Sequence, residues 1–252
     1  MNADDHVSRQ QRFYDERDHD HLQAQADDLY ARNLVDHLAD QLGIGPDGRV
    51  LELGAGFGRF TFPLLERCGS VVSVDLSAVA LARLEAERDA RGIPAARCSV
   101  HAANLDELTA EALGERFDWI VGFFLLHHLS DYCASIERLA SLMTPRGQMA
   151  FVEPNRRNPL FLLQVIGCRD MTWAEEKGMF RLSRRDVEAA YREAGLTNVG
   201  CHRFGFFPPQ IFNRFHTARG FERYVEGLAL ARPVLPFLLL SARASDFREG
   251  PG

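Results

Sequence analysis

Glycines at 54, 56 and 58 interrupt the apolar run Val50-Leu51-Glu52-Leu53, and a helix-compatible sequence resumes at Arg59-Phe60. Glycine takes positive φ readily and lets a ligand approach the backbone with no Cβ in the way, while a helix beginning just beyond presents unpaired N–H groups. The pattern suits an anionic or nucleotide-like ligand. Asp75 closes a second β-branched run, Val71 to Val74. It stands about 20 residues beyond the first glycine, where a carboxylate holds a ribose diol.

Other reactive side chains follow. His127 and His128 end the apolar run that begins at Phe117; an imidazole titrates near neutrality and can deprotonate an acceptor hydroxyl or ammonium. Adjacent residues cannot both face one site, so one of the pair serves as a structural link in this reading. Glu153 ends the run Gln148 to Val152, where a carboxylate at the mouth of a site acts as base or positions an acceptor; a loop-capping role stands beside it. Metal binding finds no third ligand at a helpful spacing.

Spacing decides which nucleotide. A dinucleotide fingerprint is G-x-G-x-x-G, whereas here the third glycine falls one residue early, giving Glu-x-Gly-x-Gly-x-Gly over 52–58. This resembles motif I of the class I S-adenosylmethionine-dependent methyltransferases, and the Leu126-His127-His128-Leu129 ending of the 117–129 run resembles the small-molecule branch of that family. The resemblance is good over residues 43–153 and weaker beyond. It implies that Glu52, Gly54, Ala55, Gly56 and Gly58 cradle the methionine part of S-adenosylmethionine, later S-adenosylhomocysteine, and that Asp75 with Leu76 holds the ribose. It further implies that Asn104, framed by Ala103 and Leu105, meets the adenine amino group, and that Phe123 passes close to the cofactor. For Asn104 a turn-capping role stands beside the adenine contact. No Asn/Asp-Pro-Pro-aromatic sequence follows the 117–129 run, which sets aside methylation of adenine in DNA or of a glutamine amide.

The elements that position these groups follow from periodicity. A helical pattern runs from Leu22 to Leu42 and stops at Gly43; it is either a lid bringing Phe13, Tyr14 or Tyr30 to the substrate or a helix packed on the sheet. Strands are expected at 50–53, 71–75, 98–101, 117–123, 148–152, 199–206 and 237–242. Helices are expected at about 60–68, 77–91, from 107, 131–143 and 183–194, with a turn at 144–147. This order of strands and helices is α/β and is similar to that of the methyltransferase family, which implies a Rossmann-like, doubly wound, seven-stranded and mostly parallel sheet whose last strand is antiparallel. N-terminal helices (1–42) precede the methyltransferase domain (43–252), and an insertion follows strand 5. Residues 156–182 and 208–232 are read as acceptor-pocket elements, with core packing, a dimer contact or a membrane surface as other uses of the second segment's aromatics.

Composition bounds the rest. The 252 residues carry a net charge of −6, which disfavours a general nucleic-acid binder and leaves small molecules as the expected partners, with a homodimer possible. Five cysteines without a CxxC pair, and a start without the basic-then-apolar order of a secretory signal, fit the cytoplasm. Apolar runs are too short to span a bilayer. The expected activity is methyl transfer to O, N or C of a small-molecule acceptor such as a secondary metabolite, sugar or lipid-like precursor. A nicotinamide-dependent oxidoreductase, disfavoured by the glycine spacing and the lack of Tyr-x-x-x-Lys, and a catalytically inert partner protein are the alternatives.

Overall fold

Apolar residues alternate between the two faces of a central sheet, and each face has its own helical cover. The computed structural model describes residues 28–158, 182–215 and 217–245. Its strands are β1 (Arg49–Leu53), β2 (Ser70–Asp75), β3 (Cys98–Ala102), β4 (Phe117–Phe123), β5 (Met143–Pro154), β6 (Thr197–Phe204) and β7 (Phe237–Arg243), in the order β3-β2-β1-β4-β5-β7-β6. All pairs are parallel except those made by β7, which lies antiparallel between β5 and β6. This is the doubly wound arrangement expected, antiparallel last strand included.

The alternation is visible in single strands. Val50, Val121, Ala150, Val152 and Leu239 face the cluster built with α1 (Leu29–Leu42), α2 (Thr61–Leu65) and α3 (Ala78–Ala90). Leu51, Ile120, Met149, Phe151 and Leu240 face the cluster built with α5 (Tyr132–Ala140) and α6 (Arg184–Glu193), and between α3 and α5 lies the single turn α4 (Ala110–Leu113). Period-two alternation buried on both sides is what a parallel sheet under two helical layers requires. Leu34, Val35 and Leu38 of α1 are fully buried against the sheet, so this helix is part of the core. Gly43, at φ 67°, turns the chain out of α1 as the sequence predicts.

Several boundaries differ from expectation. The helix after the glycines lasts only from Thr61 to Leu65. The helix expected from Glu107 is a single 3-10 turn, Leu105–Glu107, followed by α4 with Thr109 as its cap. Residues 144–147 do not form a separate turn: they join β5 as a bulge, the register with β4 jumping from Phe117–Met143 to Trp119–Gln148. Ser183 precedes α6 without a side-chain capping bond. The aromatic segment beyond β6 forms two short helices, α7 (Pro209–Phe212) and α8 (Ala218–Gly227). Phe13, Tyr14, the start of the Leu22 helix and most of the 156–182 insertion lie outside the described residues.

Candidate cofactor and acceptor site

The carboxyl ends of β1, β2, β3 and β4 meet at one edge of the sheet, the place where doubly wound folds bind ligands. The glycine loop is stitched to its neighbour there, Gly54 N donating to Val74 O at 2.8 Å. Gly54, Gly56 and Gly58 take φ of 68°, 51° and 84°. Two of the three do different work. A Cβ on Gly58 would stand 2.9 Å from Leu84 Cγ, so this glycine is needed for packing against α3; a Cβ on Gly56 would meet nothing within 4 Å. Gly56 therefore borders open space, as a position of close ligand approach must.

Asp75 closes the other side. Its carboxylate accepts from Gly56 N at 2.8 Å and from Ser77 N at 2.9 Å, which fixes it between the glycine loop and the cap of α3. Leu76 follows it, half-buried. Ala103 N donates to Asp75 O at 3.1 Å, bringing the β3 loop into the same edge. Asn104 Oδ1 accepts from Asp106 N at 3.2 Å and caps the 3-10 turn; this is the turn role read beside the adenine contact. Leu105 is buried beneath it.

Glu52 lies under the loop with 1% of its surface exposed. Ser73 Oγ donates to it at 2.9 Å, Thr61 Oγ1 donates to the same oxygen, and burial pushes the carboxyl up to about 7 against those two bonds. Thr61 and Ser73 escape a reading of the sequence because a hydroxyl within an apolar strand or helix carries no positional signal until its partner is known.

Glu153 corrects one expectation. It stands beneath the site, fully buried, and not at the mouth. Its Oε1 accepts from Leu125 N at 2.9 Å and Leu126 N at 2.7 Å, and its Oε2 lies 2.6 Å from Nδ1 of the buried His127. With two amides donating to the carboxylate, we assign the imidazole proton to Nδ1 as a third donor. Glu153 and His127 thus pin the turn after β4. The His128 ring lies 4.0 Å from that of His127, half-buried, on the next step of the turn. Asn155, two residues further on, is also buried and donates to Leu235 O at 2.7 Å.

Aromatic rings fill the side of the edge away from Asp75. Phe60 and Phe123 stack at 4.2 Å, and Phe124 lies 5.6 Å from Phe237. Phe124 holds φ 57°, a conformation that costs a bulky residue about 1–3 kcal/mol, with its N–H bonded to Val152 O. Tyr30 of α1 joins this group, 6.2 Å from Phe237, while Arg59 lies over the Tyr30 ring at 5.8 Å. Phe60 and Phe237 have no distinguishing spacing in the sequence, whereas Phe124 follows Phe123 at the carboxyl end of β4, where doubly wound sheets bind ligands. Among the described residues, no group of three His, Cys, Asp or Glu is placed to hold a metal.

Fold and site together define a doubly wound α/β protein built to hold a nucleotide-type cofactor at the carboxyl ends of parallel strands. A methyltransferase-domain family model matches residues 19–200, and the chain belongs to that family, whose cofactor is S-adenosylmethionine. An uncharacterized methyltransferase of Mycobacterium tuberculosis is 33% identical over 123 residues, 47% of this chain and 59% of that one. A ubiquinone biosynthesis O-methyltransferase of Rhodopseudomonas palustris is 29% identical over 121 residues, covering 48% of this chain and 45% of the relative. The chain thus spans about half the length of the curated relatives it matches. Phosphoethanolamine N-methyltransferase 2 of Haemonchus contortus, solved with S-adenosyl-L-methionine, has the same fold: TM-score 0.59 at 14% identity, over 84% of this chain and 52% of that one.

Proposed function

We propose that the protein transfers a methyl group from S-adenosylmethionine to O, N or C of a small, largely apolar acceptor in the cytoplasm, without nucleic acid as substrate. The observation that carries this is the joining of Gly56 to Asp75 by one hydrogen bond of 2.8 Å beside space that a Cβ would enter unopposed. Bound there, the cofactor supplies a methyl on a positive sulfur, already activated for transfer. The Asp75 carboxylate holds the ribose, Asn104 and Leu105 border the adenine, and Glu52, Ala55 and the glycines receive the methionine end.

The chain's remaining task is alignment and exclusion of water. Phe60, Phe123, Phe124, Phe237 and Tyr30 supply an apolar wall, which suits an acceptor with an aromatic or aliphatic body; the O-methylation named in the ubiquinone-pathway relatives is consistent with that. His127 and Glu153 act here as positioning residues, holding the β4 turn under the acceptor. His128, half-buried on that turn, is the candidate base where the acceptor needs to lose a proton. Free thiols at Cys68, Cys98, Cys133 and Cys201 suit a reducing compartment.

Calorimetric titration with S-adenosylmethionine tests the cofactor half, with Asp75→Ala as control. Loss of about 1–3 kcal/mol of binding is expected in the variant; equal affinity in both proteins would remove Asp75 from the site. Labelled methyl transfer to a panel of phenolic and aliphatic acceptors tests the other half.

A further inference from the structure

Eight of the nine exposed large apolar side chains among the described residues lie between residues 206 and 234. Tyr224 is 67% exposed and Leu230 is 96% exposed. On α8, Phe221 and Tyr224 fall on one stripe that Leu228 continues, while Ala218, Glu222 and Val225 are buried on the other. Aromatic rings extend the stripe, Phe221 lying 5.7 Å from the exposed Phe206 and 5.5 Å from the half-buried Phe207.

Charge in this segment is sorted by direction. It holds four arginines (214, 219, 223, 232) and two glutamates (222, 226), so 4 − 2 gives +2 within a chain of −6. Both carboxylates turn inward. Glu222 accepts from Phe206 N and Phe207 N at 2.8 Å each, and Glu226 accepts from Gly205 N at 2.8 Å. Arg214, Arg223 and Arg232 point out among the exposed apolar side chains.

We propose that this face docks on an anionic membrane surface. Large apolar side chains ringed by arginines, with the acids withdrawn, are what a helix lying in the headgroup layer presents: rings and aliphatic groups enter the acyl boundary and guanidinium groups meet lipid phosphates. A partner for an ordinary protein surface would not require every carboxylate of the segment to be turned away. Among the described residues no helix is long and apolar enough to cross a membrane; the exposed stripe runs along the surface of α8, as peripheral association requires.

The test is co-sedimentation of the full chain with vesicles of phosphatidylcholine alone and of phosphatidylcholine mixed equally with phosphatidylglycerol. Wild type should pellet with the mixed vesicles, and added salt should release it. Tyr224→Ser combined with Leu230→Ser should lower partition at least ~tenfold, and Arg223→Glu at least about fivefold. Both variants change exposed side chains and should keep the wild-type melting temperature; Leu230→Ser alone serves if the double variant does not fold. Failure of wild type to bind the mixed vesicles, or equal binding by the variants, overturns the proposal. So does a wild-type dimer that the substitutions split while no vesicle binding is seen, since the face would then join two copies of the chain.

Discussion

Asp28 Oδ2 lies 2.7 Å from Nε of Arg59, joining the cap of the first described helix to the residue that follows the glycine loop. Asp28 Oδ1 accepts from Ala31 N, which starts α1, and from Nδ2 of Asn213 at the end of α7, whose own Oδ1 accepts from Tyr30 N. One carboxylate therefore ties three distant segments beside the cofactor loop. Burial raises the Asp28 carboxyl, but the Arg59 bond and charge, with the Ala31 amide, outweigh it and hold it below its ordinary value.

Asp28→Asn keeps the cap and leaves the Arg59 guanidinium without its counter-charge. We expect a loss of about 1–3 kcal/mol in stability and weaker cofactor binding, read by thermal melts and titration. The sign with pH follows from a lowered acid: the contribution is whole above the unfolded value of 3.8 and fades as pH falls through the folded one. A variant whose acid-unfolding curve overlays wild type would discount the pair.

Gly56→Ala and Gly58→Ala should separate binding from folding. Both place alanine in the left-handed region, at about 1–2 kcal/mol each. Gly58→Ala adds a collision with Leu84 and should melt earlier of the two; Gly56→Ala should fold and lose cofactor affinity at least ~tenfold as its methyl enters the ligand's space. The reverse ranking in calorimetry would mean that the ligand approaches elsewhere.

Glu52 gives the protein a pH dependence in the opposite direction to Asp28. Its carboxyl is raised to about 7, so the folded state holds a proton that the unfolded chain releases above 4.5. Stability should fall by up to about 3 kcal/mol as pH rises from 4.5 to 7. Glu52→Gln retains an oxygen for Thr61 and Ser73 and should flatten that slope in melts taken across this range. A cationic ligand group at Glu52 would favour the ionised form, so cofactor affinity in wild type should increase up to pH about 7 and not in Glu52→Gln.

Glu153→Ala removes the acceptor for Leu125 N, Leu126 N and His127 together. Two buried donors and one half-buried donor left unmet should cost at least ~2 kcal/mol. The milder Glu153→Gln keeps one oxygen for the amides and turns an NH2 donor to His127 Nδ1, which accepts it once the ring proton moves to Nε2; the variant should fold, with turnover reduced more than cofactor affinity. Unaltered turnover in Glu153→Gln would show that the pinned turn does not position the acceptor.

The cofactor half of this architecture was legible because its signals are local. Three glycines and a strand-ending acid sit at fixed offsets, and Ser77 and Asp131 bond Ala80 N and Ala134 N at 3.0 Å each, as their positions before apolar helices imply. The acceptor half depends on pairs remote in sequence. Nothing near Glu153 reveals that it turns inward to His127, and a terminal carboxylate reads as exposed until the β4 turn is in place. Phe60 is an ordinary core residue by pattern; its stacking on Phe123 exists only because β1 and β4 are neighbours. Strong turn residues at 144–147 misled for the same reason, since sheet pairing absorbs them into β5.

The place of β7 between β5 and β6 bears on how the protein is made. It is the last described strand, and its pairs join residues as distant as Gln148 and Arg243. Until Phe237 to Arg243 leave the ribosome, one edge of β5 is bare and β6 has no neighbour with which to form a ladder. Closure of so long a loop is slow, and an apolar strand edge waiting for its partner invites pairing with other chains. Yield during synthesis should therefore depend on the arrival of one short segment, whatever the stability of the finished sheet.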